Sequence, residues 1–170
     1  PWIPRFGIAL RLAADGLSLL LVALTALLGL AAVVAARDEV DARSDLFHGC
    51  LMVCVTGAVG VFLALDLFLL LVFWQALLIP LFLLLRIWGR GDRAGVALRL
   101  FVVTGTGGLF LLASVVGLAL AYEGHAGAPS FSYLDLQAAP LGDTPAMLLM
   151  LALFAACALR LPVVPFHSWL

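Results

Sequence analysis

"GLSLLLVALTALLGLAAVVAA", residues 16–36, runs for twenty-one residues without a charged side chain. Apolar stretches of about 18 residues or more are long enough to cross the hydrocarbon core of a bilayer as an α-helix. Asp15, immediately before it, supplies an N-cap. Working outward, the same pattern returns four times. A second span is read at 46–64, "LFHGCLMVCVTGAVGVFLA", and a third at 67–87, with Asp66 marking the tight turn between them. A fourth covers 96–121 and a fifth 146–161. The fold class expected is an all-α membrane protein: a polytopic transmembrane helix bundle of five spans forming one transmembrane domain over residues 1–170, the last helix broken at Pro162 and Pro165.

Composition leads to the same class. Hydrophobic residues make up 65% of the chain and charged residues 11%, against roughly 25% charged in soluble domains. A soluble domain of this length has no core large enough to hide that much apolar surface. The net charge is −1 and there is no basic tail, which argues against a nucleic-acid partner. All nine cations are arginine, and neither lysine nor asparagine occurs, a bias that points to a GC-rich, bacterial coding genome. Cys50, Cys54 and Cys157 all sit in apolar segments. Cys50 and Cys54 share a helix face, but no histidine or carboxylate joins them at ligand spacing, so they read as small buried hydrophobes. The chain starts without methionine or a signal-peptide pattern and stops at Leu170 without a tail; it is read as an internal piece of a longer polytopic protein.

Arginine counts orient the bundle. The 37–45 loop carries Arg37 and Arg43, and the 86–99 connection carries Arg86, Arg90, Arg93 and Arg99, on one side if all five segments cross. The other side has only Arg5 and Arg11, and the 122–145 loop has none. Six against two places the 37–45 and 86–99 loops in the cytoplasm. Trp2 and Trp88 fall where interfacial anchors belong. Gly57, Gly60 and "TGTGG", 104–108, are read as places where helix backbones approach closely. The 122–145 loop shows no element of its own, and its His125 reads as a solvated loop residue.

Two residues break the apolar rule. Gln75, in "LVFWQALLIPLF", lies about 13 Å from Asp66 at helical rise, near the bilayer midplane. A glutamine there must find its partners within the protein. Pro80, five residues on, frees the carbonyl of Ala76. An interhelical hydrogen bond and a station in a hydrated polar path are both open readings. Arg160, in "ALRLPVVPFHSWL", costs roughly 2.5–3.5 kcal/mol at a span centre on insertion scales. Pro162 and Pro165 cannot donate to the carbonyls of Ala158 and Leu161, so a helix ending near residue 160 presents a negative dipole end that favours a cation. A broken helix with an ionisable residue at its break is a design transporters use for ion sites; a capping arginine that snorkels to an interface is the alternative. His167 either packs as a hydrogen-bonded side chain or relays protons.

Three blocks, "PWIPRFGIALRLAADGLSLLLVALTALLGLAAV", "GVFLALDLFLLLVFWQALLIPLFLLLRIWG" and "ALRLPVVPFHSWL", resemble consecutive blocks of one family. It is the antiporter-like M subunit of bacterial NADH:quinone oxidoreductase, respiratory complex I, equivalent to mitochondrial subunit 4. The family also includes Mrp-type cation/proton antiporter subunits and the membrane arms of energy-converting hydrogenases. The resemblance implies a fourteen-helix protein built on two inverted five-helix repeats, of which this chain would hold the third to seventh helices. It also implies a cytoplasmic 37–45 loop, in agreement with the arginine count, and a location in the bacterial cytoplasmic (inner) membrane.

In that family the position of Gln75 is typically a glutamate and that of Arg160 a lysine in a broken helix, a coupled charge pair in the proton-transfer path. The resemblance therefore implies a proton pathway through Gln75, Arg160 and His167. Here neither member of the pair titrates, since glutamine has no acid form and arginine keeps its proton at any pH below about 12. The implied function is a membrane-embedded, proton-translocating subunit of an NADH:quinone oxidoreductase, coupling quinone-linked electron transfer to proton movement. It would be part of an enzyme without a redox site of its own. NADH, FMN, iron–sulfur clusters and quinone belong to partner subunits, and its own partners are other membrane-arm subunits, the lipid bilayer and protons as the transported ion. The alternatives are a paralogue in a cation/proton antiporter, energy-converting hydrogenase or inorganic-carbon uptake complex, and a non-pumping structural subunit.

Overall fold

A computed structural model describes residues 3, 7–37, 40, 43–137 and 142–161. Pro162, Pro165 and His167 lie outside the described residues, and with them the expected helix break and the third pathway residue. The described chain is helical throughout its apolar stretches: α1 (Gly16–Ala36), α2 (Ser44–Leu63), α3 (Leu67–Ala76), α4 (Leu78–Trp88), α5 (Arg93–Ala126), a short α6 (Tyr133–Gln137) and α7 (Asp143–Arg160). With α3 and α4 taken as one crossing, five helices among the described residues are long and apolar enough to span a membrane.

The third crossing, Leu67–Trp88, covers the span expected at 67–87 and is built from two helices. It is interrupted at Leu77. The cause is legible in Pro80, which has no N–H to offer the carbonyl of Ala76. The fourth crossing is longer than 96–121. It begins at Arg93, where Asp92 accepts a hydrogen bond from the Gly95 amide at 3.0 Å. It runs on to Ala126, where Gly127, at φ +72°, closes the helix in the left-handed conformation. The 122–145 stretch, expected to lack structure, thus contributes the last turn of α5, all of α6 and the first turn of α7. At α1 the expected cap is present: Asp15 accepts from the Ser18 amide at 2.6 Å, a bond that holds its carboxyl below the usual carboxylate range.

α5 is the central column. Its buried positions, Ala97, Leu100, Thr104, Gly107, Gly108, Leu111, Ser114, Val115 and Ala119, recur at three- and four-residue spacing and so form one stripe along the helix. α7, α4 and α3 pack against it, while α2 packs on α1, α3 and α4. The glycines act as expected, letting helices approach. A Cβ on Gly57 would meet the Leu77 side chain, one on Gly60 the Phe73 ring, and one on Gly107 the Ala156 carbonyl and Leu159 of α7. Ser114, fully buried, donates to its own helix at Phe110 O (2.9 Å) and lies 3.3 Å from Leu149 O on α7.

At the end of the bundle where α2 turns into α3, three stretches of chain are laced together. Asp66 is 1% exposed. Its carboxylate caps α3 by accepting from Phe68 N (3.0 Å) and Leu69 N (3.3 Å), and it also accepts from Ala9 N (3.1 Å) of the N-terminal stretch. On one side of the link Leu65 N donates to Arg11 O at 3.1 Å and Ala13 N to Leu63 O at 2.9 Å. On the other, Leu67 N donates to Phe131 O at 2.9 Å and Tyr133 N to Leu65 O at 3.1 Å. Gly7, at φ +68°, passes so close to Pro129 that a Cβ would run into its carbonyl oxygen. The backbone groups of this short link are thus satisfied by neighbouring stretches of chain.

Candidate functional site around the interruption of the third span

α3 delivers Trp74 and Gln75 to the last turn before Leu77. Trp74 lies seven residues from the start of the third crossing and fourteen from its end at Trp88, which places it about 10 Å from one end and 21 Å from the other at helical rise. α7 brings Arg160 to the same level as its last residue, with Leu161 already extended at φ −76°, ψ 133°. Among the described residues α7 thus ends at Arg160, with its cation at the negative end of the dipole.

The guanidinium turns to the third span. Arg160 Nη1 donates to the main-chain carbonyl of Trp74 at 3.1 Å, and the guanidinium carbon lies 4.6 Å from the centroid of the Trp74 ring. A hydrogen bond from a charged donor contributes about 1.5–3 kcal/mol, and a desolvated cation–π contact about 2 kcal/mol. Together they are of the size needed to offset the roughly 2.5–3.5 kcal/mol insertion cost of an arginine at span centre. The site opens beside Arg160 into a cavity of about 290 Å³ between α2, α3 and α7, lined by Ala58, Phe62, Trp74, Leu77, Cys157 and Arg160 among others.

Gln75 faces the other way. Its amide packs on Gly108 of α5, where a Cβ would collide with it. Its Oε1 is buried without a hydrogen-bond partner among the described residues, and so is the neighbouring Trp74 Nε1. Gln75 and Arg160 thus reach one level of the bundle, but no hydrogen bond joins them among the described residues; the connection runs through Trp74. His167 lies outside the described residues. The three cysteines are free, and among the described residues no group of three or more His, Cys, Asp or Glu side chains is placed to hold a metal ion.

Sequence reasoning found both polar residues of this site and missed the one between them. The signal for Trp74 was available: tryptophan belongs at the membrane interface, and this one sits well inside a span.

Residues 64–170 match the family described as "NADH:quinone oxidoreductase/Mrp antiporter, TM". The chain is 41% identical over 175 residues to the NADH-quinone oxidoreductase subunit M of Escherichia coli K12, an alignment that takes in 100% of this chain and 34% of that protein. It is also 41% identical to the subunit M of Pseudomonas aeruginosa, over 99% of this chain and 34% of the relative. It is 36% identical to the NAD(P)H-quinone oxidoreductase chain 4 of Gloeobacter violaceus, over 99% and 31%. Among solved structures, a chain of respiratory complex I from Thermus thermophilus with bound NADH superposes with a TM-score of 0.85 at 35% identity, covering 100% of this chain and 34% of that one. The chain spans about a third of the length of the curated relatives it matches.

Proposed function

Because this chain belongs to the NADH:quinone oxidoreductase/Mrp antiporter transmembrane family, as an antiporter-like M-type membrane subunit, we propose that it forms part of a proton-translocating subunit of an NADH:quinone oxidoreductase, converting quinone-linked electron transfer into proton movement. One observation carries the reading: a permanent cation, Arg160, held against the interrupted third span by the Trp74 carbonyl and ring. Burying a charge there has a cost that a purely structural helix end avoids by using an apolar residue.

Arg160 does not carry the proton itself, because its guanidinium stays charged throughout the physiological range. It acts as a fixed positive charge that orders water and biases neighbouring groups. α7 is read as the first half of a broken helix whose break holds Pro162 and Pro165, leaving the carbonyls of Ala158 and Leu161 free to face a polar path. Gln75 and His167 complete that path. The 37–45 and 86–99 loops, with their six arginines, face the cytoplasm of a bacterial inner membrane. NADH, FMN, iron–sulfur clusters and quinone are assigned to partner subunits.

In the full-length protein within its complex, Arg160→Ala is expected to leave NADH oxidation in place and to lower proton translocation in inverted membrane vesicles by at least about tenfold, the effect of losing about 1.4 kcal/mol or more from a transfer step. A variant that pumps normally and is only less heat-stable would reduce Arg160 to a helix cap. The pairing of a glutamine with an arginine, neither of which titrates, also favours a second reading, a paralogue serving a cation antiporter, hydrogenase or carbon-uptake complex; its partners separate the two.

A further inference from the structure

We propose that Trp74 is the positioning residue of this site, the group that fixes where the charge of Arg160 sits. Its indole face and its main-chain carbonyl form one clamp shaped for a planar guanidinium, which fixes the charge of α7 to the interruption of the third span. Three observations combine. The guanidinium is stacked and hydrogen-bonded on the same residue, 4.6 Å from the ring centroid and 3.1 Å from the carbonyl. In an unbroken helix that carbonyl would take the Leu78 amide, across the interruption at Leu77.

Among the described residues the cavity beside Arg160 offers little else to a cation. Its walls from α2 and α3 are Ala58, Val61, Phe62 and Leu77 apart from Trp74 itself. The third observation concerns the choice of ring. Trp74 Nε1 is buried without a partner among the described residues, an arrangement that is costly for a polar group. Phenylalanine would fill much of the same space without that cost. Tryptophan offers the strongest cation-binding face of the three aromatic side chains, and that face is the part of it in use.

The clamp holds a guanidinium more firmly than an ammonium on physical grounds. An ammonium is a compact, strongly hydrated point charge that can keep one hydrogen bond to the carbonyl, whereas the flat guanidinium stacks on the ring and donates in its own plane. Through this contact Trp74 couples α7 to the third span.

The clamp stands on this geometry, and its consequence for pumping rests on the proposed function. A double-mutant cycle tests both, with Trp74→Phe and Trp74→Leu each made in the Arg160 and Arg160→Lys backgrounds of the full-length protein in its complex. Two quantities are read: protons moved per NADH oxidised, and the temperature at which the complex dissociates. With Arg160 present, Trp74→Phe is expected to lower translocation about twofold to threefold and Trp74→Leu about tenfold, with a parallel fall in dissociation temperature. With lysine at 160 both substitutions should change translocation by less than about 1.5-fold and leave that temperature unchanged.

Equal losses in the two backgrounds, in both readouts, would make Trp74 a space-filler and overturn the proposal. If Trp74→Leu does not assemble, the Trp74→Phe arm decides alone. Heat stability coupled to Arg160, with translocation unchanged in every variant including Arg160→Ala, would keep the clamp and sink the pumping role instead.

Discussion

Trp74 and Gln75 are adjacent in sequence and serve opposite sides of the third span, one holding Arg160 of α7 and the other pressed on Gly108 of α5. That division depends on a missing side chain. A Cβ at Gly108 would strike the Gln75 amide, whereas one at Gly124 on the same helix meets nothing within 4 Å. Alanine is favoured over glycine in a helix by about 1 kcal/mol. Gly124→Ala is therefore expected to stabilise by up to about that amount, while Gly108→Ala loses about 1 kcal/mol or more to overpacking. Thermal denaturation of the two variants in detergent micelles reads the contrast, and stabilisation of both would mean that Gln75 has room to move aside. Gln75 and Arg160 were legible from sequence because each sets a polar group in an apolar run. Trp74 offered only its depth in the span; its pairing was not legible, because the partner lies 86 residues away and nothing local couples them.

The spans could be read from the chain because hydropathy and length decide them, and α1, α2 and α7 begin and end within about three residues of expectation. What lies between spans was less visible. The 64–66 link reads as a tight turn, yet Asp66 is its anchor, accepting from three amides in two separate stretches of chain. A hydrogen bond from residue 9 to residue 66 leaves no periodic trace in sequence. Likewise Pro80 announced a freed carbonyl without saying whether the helix would bend or stop, and packing of Leu77 against Gly57 accompanies the stop. Asp66→Ala removes a cap and leaves the Ala9 amide without its acceptor, at a combined cost of about 2 kcal/mol. Hydrogen exchange should then speed up at Ala9, Phe68 and Leu69 together. Faster exchange at Phe68 and Leu69 alone would show that the N-terminal stretch is held by its other bonds.

Across the whole molecule, the apolar surface is turned outward on a scale that only lipid or other membrane helices can cover. Of α1, Ala36 alone is buried, while Leu17, Leu20, Leu27 and Leu30 are all at least 63% exposed. The proposed orientation rests on the arginine asymmetry, and both ends of α5 are exposed enough to check it. In a chain cleared of its native cysteines, Ala94→Cys should react with an impermeant maleimide only in inside-out vesicles, and Glu123→Cys only in right-side-out ones. The reverse pattern would invert the topology. The family assignment rests on sequence and fold together, whereas the complex in which the protein works is a matter of partners. The most direct test is gentle affinity purification of the full-length protein from native membranes, with the co-purifying proteins identified by mass spectrometry. Recovery of NADH-oxidising and quinone-binding subunits is the predicted result; recovery with antiporter, hydrogenase or carbon-uptake subunits and no NADH-oxidising arm would contradict it.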